Sequence, residues 1–173
     1  EQYRKYAYIL TVIDTFTRHT LHHLVRYSIK KEDIKEVWTH ITETHIQPNC
    51  SPKDGIRIEI RNDNDKRFSA ALVQEYFKEN HMDQVFTHPY TPQENGHIES
   101  FHAILGKHLK CFHFWSIEEL KQNLILFYEK YNNVRLHTSI AHLSPRNFWT
   151  LWDRDLIDKT EDSKLRRIKF KLK

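Results

Sequence analysis

Apolar positions along the chain change their period several times, and each change marks an element. Tyr6 to Ile13 is a near-continuous apolar run rich in aromatic and β-branched residues, the pattern of a strand buried on both faces. A polar corner, Asp14 to Arg18, separates it from a weaker strand, Leu21 to Tyr27, expected to pair with it as a hairpin. Ile34, Val37, Trp38 and Ile41 then fall at i, i+3, i+4 and i+7, which predicts an amphipathic helix from Lys31 to about His45. Gln47 to Gly55 holds Pro48, Asn49, Ser51 and Pro52 and reads as a loop. Ile56, Ile58 and Ile60 alternate in a short strand that delivers Asp63 at its C-terminal end.

The second half is read in the same way. Leu72, Val73, Tyr76 and Phe77 give a helical stripe that stops near Asn80. Gln84 to Thr87 is a short strand, and His88 to Gln93 a Pro-bounded loop. A helix follows with Ile98, Phe101, Leu105 and Leu109 on its apolar side. Ser116 and Glu119 form a capping-box pair that opens a long helix striped by Leu120, Leu124, Phe127 and Tyr131. Ser144 and Pro145 supply an N-cap and an N1 proline for a short aromatic helix with Phe148, Trp149 and Trp152. A hairpin followed by strand–helix alternation implies an α/β fold with a mixed sheet covered by helices.

Composition narrows this picture only modestly. With 173 residues, 39% of them apolar, the chain can bury a core, and three Gly and five Pro exclude a fibrous or loop-dominated protein. Twenty-seven Lys and Arg against 23 Asp and Glu leave a net charge of +4, which permits a nucleic-acid partner without requiring one. Cys50 and Cys111 are the only cysteines and read as free thiols of a reducing cytoplasm, since they form no C-x-x-C. No apolar run is long enough to span a bilayer. Residues 1–155 are taken as one core and 156–173 as a basic extension. In that extension Ile168 to Lys173 alternates with period two, as a DNA-binding arm, a strand pairing with something outside the chain, or a solvated tail.

Two carboxylates stand out. Asp63 sits in Ile60-Arg61-Asn62-Asp63-Asn64, and Glu99 in Thr91-Pro92-Gln93-Glu94-Asn95-Gly96-His97-Ile98-Glu99-Ser100, with 35 residues between them. Taken singly, Asp63 reads as an Asx-turn residue and Glu99 as an exposed helical glutamate. Taken with the spacing and the Pro-rich loop, the stretch resembles the catalytic core of retroviral-type integrases and, most closely, of the related bacterial insertion-sequence transposases, the DDE family. The resemblance runs from about Tyr6 to Trp152.

It implies a ribonuclease-H-like fold and metal-dependent DNA cleavage and strand transfer, with Asp63 and Glu99 holding Mg²⁺ or Mn²⁺, two ions in the complete site. Hard cations take such oxygen ligands, and paired ions serve both the attacking and leaving oxygens of phosphoryl transfer. It further implies DNA as partner (element ends and target) and a homodimer, for which the aromatic C-terminal helices offer apolar surface. Arg61, Lys66, Arg67, Lys107, Lys110 and Arg135 are the candidates for DNA phosphates.

The match has departures. The family's first Asp, in a W-x-x-D-x-T context, is not found, and is expected upstream of Glu1 on a strand the chain lacks in part or whole. Asp14 is the less favoured substitute, because Val12 to Arg18 resembles the family's V-x-D-x-F-S-R corner, whose Asp is distinct from the metal ligand. Asp65 stands where relatives carry Gly, placing a further negative charge two residues from Asp63. Ala103 and Gly106 occupy positions where integrases often carry Lys. Tyr131-Asn132-Asn133-Val134-Arg135-Leu136-His137 resembles a transposase Y-N-x-x-R-x-H segment, in which Arg135 and His137 either touch phosphates or, slightly favoured, cap helices. His22, His23, His97, His102 and His108 lack metalloprotease spacing and read as surface or hydrogen-bonded side chains. The alternative function is a non-catalytic DNA-binding or assembly module derived from such a core; a plain ribonuclease is disfavoured by the Pro-rich loop.

Overall fold

A computed structural model describes residues 6–49, 57–87, 92–162 and 167–173. In order the elements are β1 (Tyr8–Ile13), β2 (Thr20–Arg26), α1 (Lys31–Ile41), α2 (Gln47–Asn49), β3 (Ile58–Asn62), α3 (Ala71–Glu79), β4 (Met82–Phe86), α4 (Pro92–Leu109), α5 (Ile117–Asn133), α6 (Pro145–Asp153), β5 (Ile157–Asp162) and β6 (Arg167–Leu172). The strands pair two by two: β1 with β2, β3 with β4, β5 with β6. Two compact units emerge, Glu1–Thr11 with Leu21–Phe112, and Val12–Thr20 with His113–Lys173.

The first unit is built from the stripes the sequence displays. Ile34, Val37, Trp38 and Ile41 of α1 are all buried, as are Val73, Tyr76 and Phe77 of α3. Trp38 meets Phe77 edge to face at 5.2 Å, a geometry that adds about 0.5–1.5 kcal/mol beyond area burial. Tyr76 donates its hydroxyl to Thr42 Oγ1 at 2.9 Å, so its polar end is satisfied inside. The α1 helix does not end at His45. It loosens into a π-helical turn, Thr42–Ile46, and resumes as α2. Thr42 and Thr44 donate their hydroxyls to the carbonyls of Trp38 and His40, both at 2.7 Å, and such back-bonding competes with the α-helical ladder. The loop expected over Gln47 to Gly55 therefore begins as helix; its residues from Cys50 onward lie outside the described ones.

β3 and β4 run parallel, in register from Ile58 opposite Met82 to Asn62 opposite Phe86, with α3 as the crossover. This pairing fixes where Asp63 emerges. The expected burial of the first strand on both faces is not found. Tyr6 is 77% exposed and Tyr8 50%, and no residue of β1 is fully buried, because β1 has a neighbour only in β2 among the described strands.

The second unit surrounds α5 and α6. Of the predicted α5 stripe, Leu124, Phe127 and Tyr131 are buried and Leu120 only partly, and Tyr128 joins them. Its N-cap is a shifted capping box: Ser116 Oγ accepts from Glu119 N at 3.1 Å, while the Glu119 carboxylate accepts from Trp115 N at 2.8 Å, one residue earlier than in the usual motif. Ser144 caps α6 by accepting from Asn147 N at 3.3 Å, with Pro145 at the first turn.

Phe148 of α6 is fully buried in a cluster with Ile140 and Ile157, against which Phe16, Trp152 and Phe170 pack. Phe148 and part of Trp152 thus pack within this unit, while Ile125 and Leu126 of α5 stay exposed. β6 finds a partner within the chain. It pairs antiparallel with β5, Phe170 opposite Lys159 and Lys171 opposite Asp158. β5 escapes a hydrophobicity reading because Ile157 is the only apolar residue of its six.

Candidate active site

The first candidate carboxylate follows directly on β3. Asn62 is its last residue, and three contacts brace that end against the β4 side. Thr87 N donates to Asn62 O at 3.0 Å, Asn64 Nδ2 to Thr87 O at 3.1 Å, and Gln84 Nε2 to Asn62 Oδ1 at 3.0 Å. Gln84 also donates to Phe68 O at 3.0 Å, tying the lead-in of α3 to the same point. Within this frame Asp63 is exposed, and Oδ1 accepts one long bond, from Asp65 N at 3.3 Å. Asn64 and Gln84 are site-building residues that sequence reasoning missed. Their signal is the parallel register, which no single-sequence pattern displays.

Asp65 does not present a loose charge. Its Oδ1 accepts from Arg67 N at 2.8 Å and Nε at 2.9 Å, and its Oδ2 from Arg67 Nη2 at 2.6 Å. These hydrogen bonds hold the carboxyl well below its ordinary range, at about 2. The same fork occupies Arg67, which additionally donates to Ile29 O at 3.4 Å. Where a Gly would give the turn its freedom, an Asp–Arg clasp closes it instead.

The second carboxylate, Glu99, lies on α4. That helix starts at Pro92, so the last two residues expected in the loop are already helical, and Glu99 sits about two turns in. Residues 88–91 of the loop lie outside the described ones. Phe101 and Leu105 bury the opposite side of the helix, leaving Glu99 exposed with no ion-pair partner among the described residues. His102, one turn on, has its imidazole pKa lowered by burial, and the Glu99 charge opposes that shift. Asp63 and Glu99 belong to the same compact unit.

Asp14 is in a different condition. Oδ1 accepts from Phe16 N at 3.0 Å, and Oδ2 from both Thr17 N at 3.1 Å and Thr17 Oγ1 at 2.5 Å. Backbone bonds Arg18 N to Asp14 O and Asp14 N to His19 O, both 2.8 Å, close the corner around it. Its carboxylate is the hub of a turn. Among the described residues, no group of three or more His, Cys, Asp or Glu side chains is arranged to hold a metal ion. Cys111 is free and exposed.

Of the remaining basic candidates, Arg61 pairs with Glu59 at 2.7 Å. Lys66, Lys107 and Lys110 are exposed in the first unit, and Arg135 is exposed in the second, just past α5. The Y-N-x-x-R-x-H segment is largely structural. Asn132 Oδ1 accepts from Thr20 N and Oγ1, both at 2.9 Å, and its Nδ2 donates to Thr20 O at 3.1 Å. Tyr131 packs edge to face on His137 at 5.1 Å.

Residues 80–145, less than half of the chain, match the family model of the integrase core domain. That segment contains β4, α4 with Glu99, and α5. In three dimensions the chain resembles the catalytic core domain of BIV integrase at 15% identity and a TM-score of 0.64, over 85% of this chain and 88% of that one. The fold is that of an integrase catalytic core. A chain of the simian T-cell lymphotropic virus intasome is similar at 14% identity and a TM-score of 0.62, over 81% of this chain. This chain spans 47% of that longer one. No curated protein sequence matches it. The ribonuclease-H-like architecture expected of such a core is therefore present. Among the described residues no helix is long and apolar enough to cross a membrane.

Proposed function

We propose that this integrase-type core is the catalytic core of a DNA transposase or integrase, which cuts DNA strands and joins their 3′ ends to target DNA. The observation that carries the reading is Asp63: a carboxylate with both oxygens nearly unengaged, at the end of a braced parallel strand, in the unit that also holds Glu99. Rigid mounts are what a ligand set requires.

The donor chemistry fits a hard divalent cation, Mg²⁺ or Mn²⁺, with Asp63 and Glu99 as two of its oxygen ligands. Such ions, when bound, activate the attacking oxygen and neutralise charge on the leaving one. The chain's own part is to hold the carboxylates in place. Gln84 and Asn64 fix the strand end that carries Asp63. The Asp65–Arg67 clasp keeps the neighbouring turn from competing for the ion. Exposed Lys66, Lys107 and Lys110 draw in DNA phosphates. A third carboxylate from a strand preceding Glu1 completes the proposal, as does assembly into a homodimer on DNA.

The test is metal-dependent nicking of labelled duplex DNA by the chain extended upstream. Cleavage that needs Mg²⁺ or Mn²⁺ and disappears in Asp63→Asn supports the reading. Cleavage unaffected by that substitution, or absent from every upstream extension, overturns it. A second reading, a non-catalytic DNA-binding module, draws on Asp14, whose oxygens are committed to a turn and not to a ligand set. DNA binding by an extended chain that never cleaves favours that reading.

A further inference from the structure

Resting on the reading that this core works on DNA, we infer that Arg18, Arg135 and the imidazole of His137 form an anchoring site for a DNA backbone phosphate in the second unit, apart from the Asp63 carboxylate. Three features converge there. First, neither Arg18 nor Arg135 forms an ion pair among the described residues. The acid nearest Arg18, Asp14, already spends its oxygens on Phe16 N, Thr17 N and Thr17 Oγ1. Arg135 is exposed, but Arg18 is half-buried; a half-buried guanidinium without a carboxylate is uncommon, and its planar fork matches a phosphate.

Second, Arg18 is held in place rather than left to solvent. Its guanidinium donates to the Thr15 carbonyl, and its Nε to Ser139 Oγ at 3.4 Å. This orientation involves backbone strain on both sides of the contact. Arg18 has φ of 66°, and Ala141 and His142, shortly after Ser139, have 58° and 56°. Left-handed conformations cost such residues roughly 1–3 kcal/mol each and persist where surrounding structure enforces them.

Third, Nε2 of His137 is buried and makes no hydrogen bond, although the ring is pinned by Tyr131 and the backbone by a bridge to Leu143. A buried unsatisfied ring nitrogen costs about 1–3 kcal/mol and calls for a partner that the chain does not itself supply. Both arginines act on this imidazole electrostatically, and with burial they keep it neutral, its pKa lowered to about 4. A phosphate oxygen brought in between the two guanidinium groups would complete all three needs at once, once the loop yields enough to admit it to Nε2.

Binding of fluorescein-labelled duplex DNA by the whole chain, in EDTA and across a salt series, tests this without any cleavage step. Arg135→Gln is expected to reduce the magnitude of the log K against log salt slope by about 1, with an unchanged melting temperature. Ser139→Ala, which releases the Arg18 fork but removes no charge, is expected to weaken binding several-fold at constant slope. An unchanged slope in Arg135→Gln together with unchanged affinity in Ser139→Ala overturns the inference, as does a lowered melting temperature with no change in slope, which would make Arg135 a helix cap only. Wild-type chain that binds DNA but shows those null results sinks this site and leaves the carboxylate reading standing. Wild-type chain that binds no DNA overturns both.

Discussion

Asp14 and Asp63 each follow the last residue of a strand, and each opens a turn. Asp14 accepts three hydrogen bonds from Phe16 and Thr17, one of them at 2.5 Å. Asp63 accepts a single bond at 3.3 Å, and the clasp that closes its turn is made by Asp65 and Arg67 instead. The same residue type at the same kind of position is structural in one region and available in the other. What separates them is who supplies the turn's hydrogen bonds. Where the aspartate itself does so, it has nothing left for a ligand; where a neighbour does, the carboxylate is released.

The comparison breaks most visibly if the two residues fail to divide activity from stability. In the upstream-extended chain, Asp63→Asn and Glu99→Gln are expected to lower metal-dependent strand cleavage by roughly 10²–10³-fold or more, judged against losses for other preorganised charge stabilisers. Their unfolding free energies should stay within about 0.5 kcal/mol of wild type, as for surface changes elsewhere. A gel assay of nicked product and a denaturant titration check the two halves.

Asp14→Ala is the converse. It strands two backbone donors and a hydroxyl, so a destabilisation of about 2–3 kcal/mol is expected in urea unfolding. Asp63→Ala in the same experiment should barely move the midpoint. Equal midpoints for the two variants would erase the distinction.

These two aspartates also show what the amino-acid pattern reveals and what it hides. The 35-residue interval, the Pro-rich loop and the strand before Asp63 are local or one-dimensional signals, so Asp63 and Glu99 can be singled out as a candidate pair from the sequence alone. The stripes of α1, α3 and α5, and the caps at Ser116 and Ser144, were legible for the same reason. The engagement of a carboxylate depends on hydrogen-bond geometry, which sequence spacing does not encode. Neither do non-local partners: Gln84 against Asn62, Asn132 against Thr20, and β5 against β6. β5 escapes the pattern because Ile157 is its only apolar residue, and β1 departs from it because an apolar run shows that burial is possible, not that a cover exists on both sides.

Acid sharpens the picture in each unit separately. His23 in the first and His137 in the second both have pKa lowered from 6.5 to about 4, chiefly by burial. Folded pKa values below the unfolded ones mean that the stability they contribute is complete above about 6.5, falls as pH drops through that value, and levels off near 4. Allowing for their partial contact with solvent, each accounts for about 1–2 kcal/mol. Thermal melts between pH 7.5 and 4 should show the loss, and His23→Gln or His137→Gln should each flatten part of it. A profile that either substitution leaves untouched would place the acid sensitivity elsewhere.

The smallest expected effect concerns the clasp. Asp65→Gly removes the Arg67 fork and restores a permissive turn residue, at a cost of about 1 kcal/mol or less. The lowered Asp65 pKa predicts that the clasp's contribution is complete above about 3.8 and lost as pH falls through about 2, so wild type and Asp65→Gly should converge in stability there. Titration with Mn²⁺ reads whether the freed turn also changes metal affinity at Asp63; a change exceeding that of Asp63→Asn would make Asp65 the more important ligand.

The edge-to-face contact of Phe16 with Phe170, at 5.4 Å, has a consequence for biosynthesis. Phe16, in the corner at Asp14, leaves the ribosome 170 − 16 = 154 residues before Phe170, the ring that covers it. At about 5–20 residues per second, Phe16 waits roughly 8–30 s without that ring. The apolar side of the corner is thus a nascent-chain surface open to chaperones, and a stall before β6 leaves it uncovered however well the first unit has already folded.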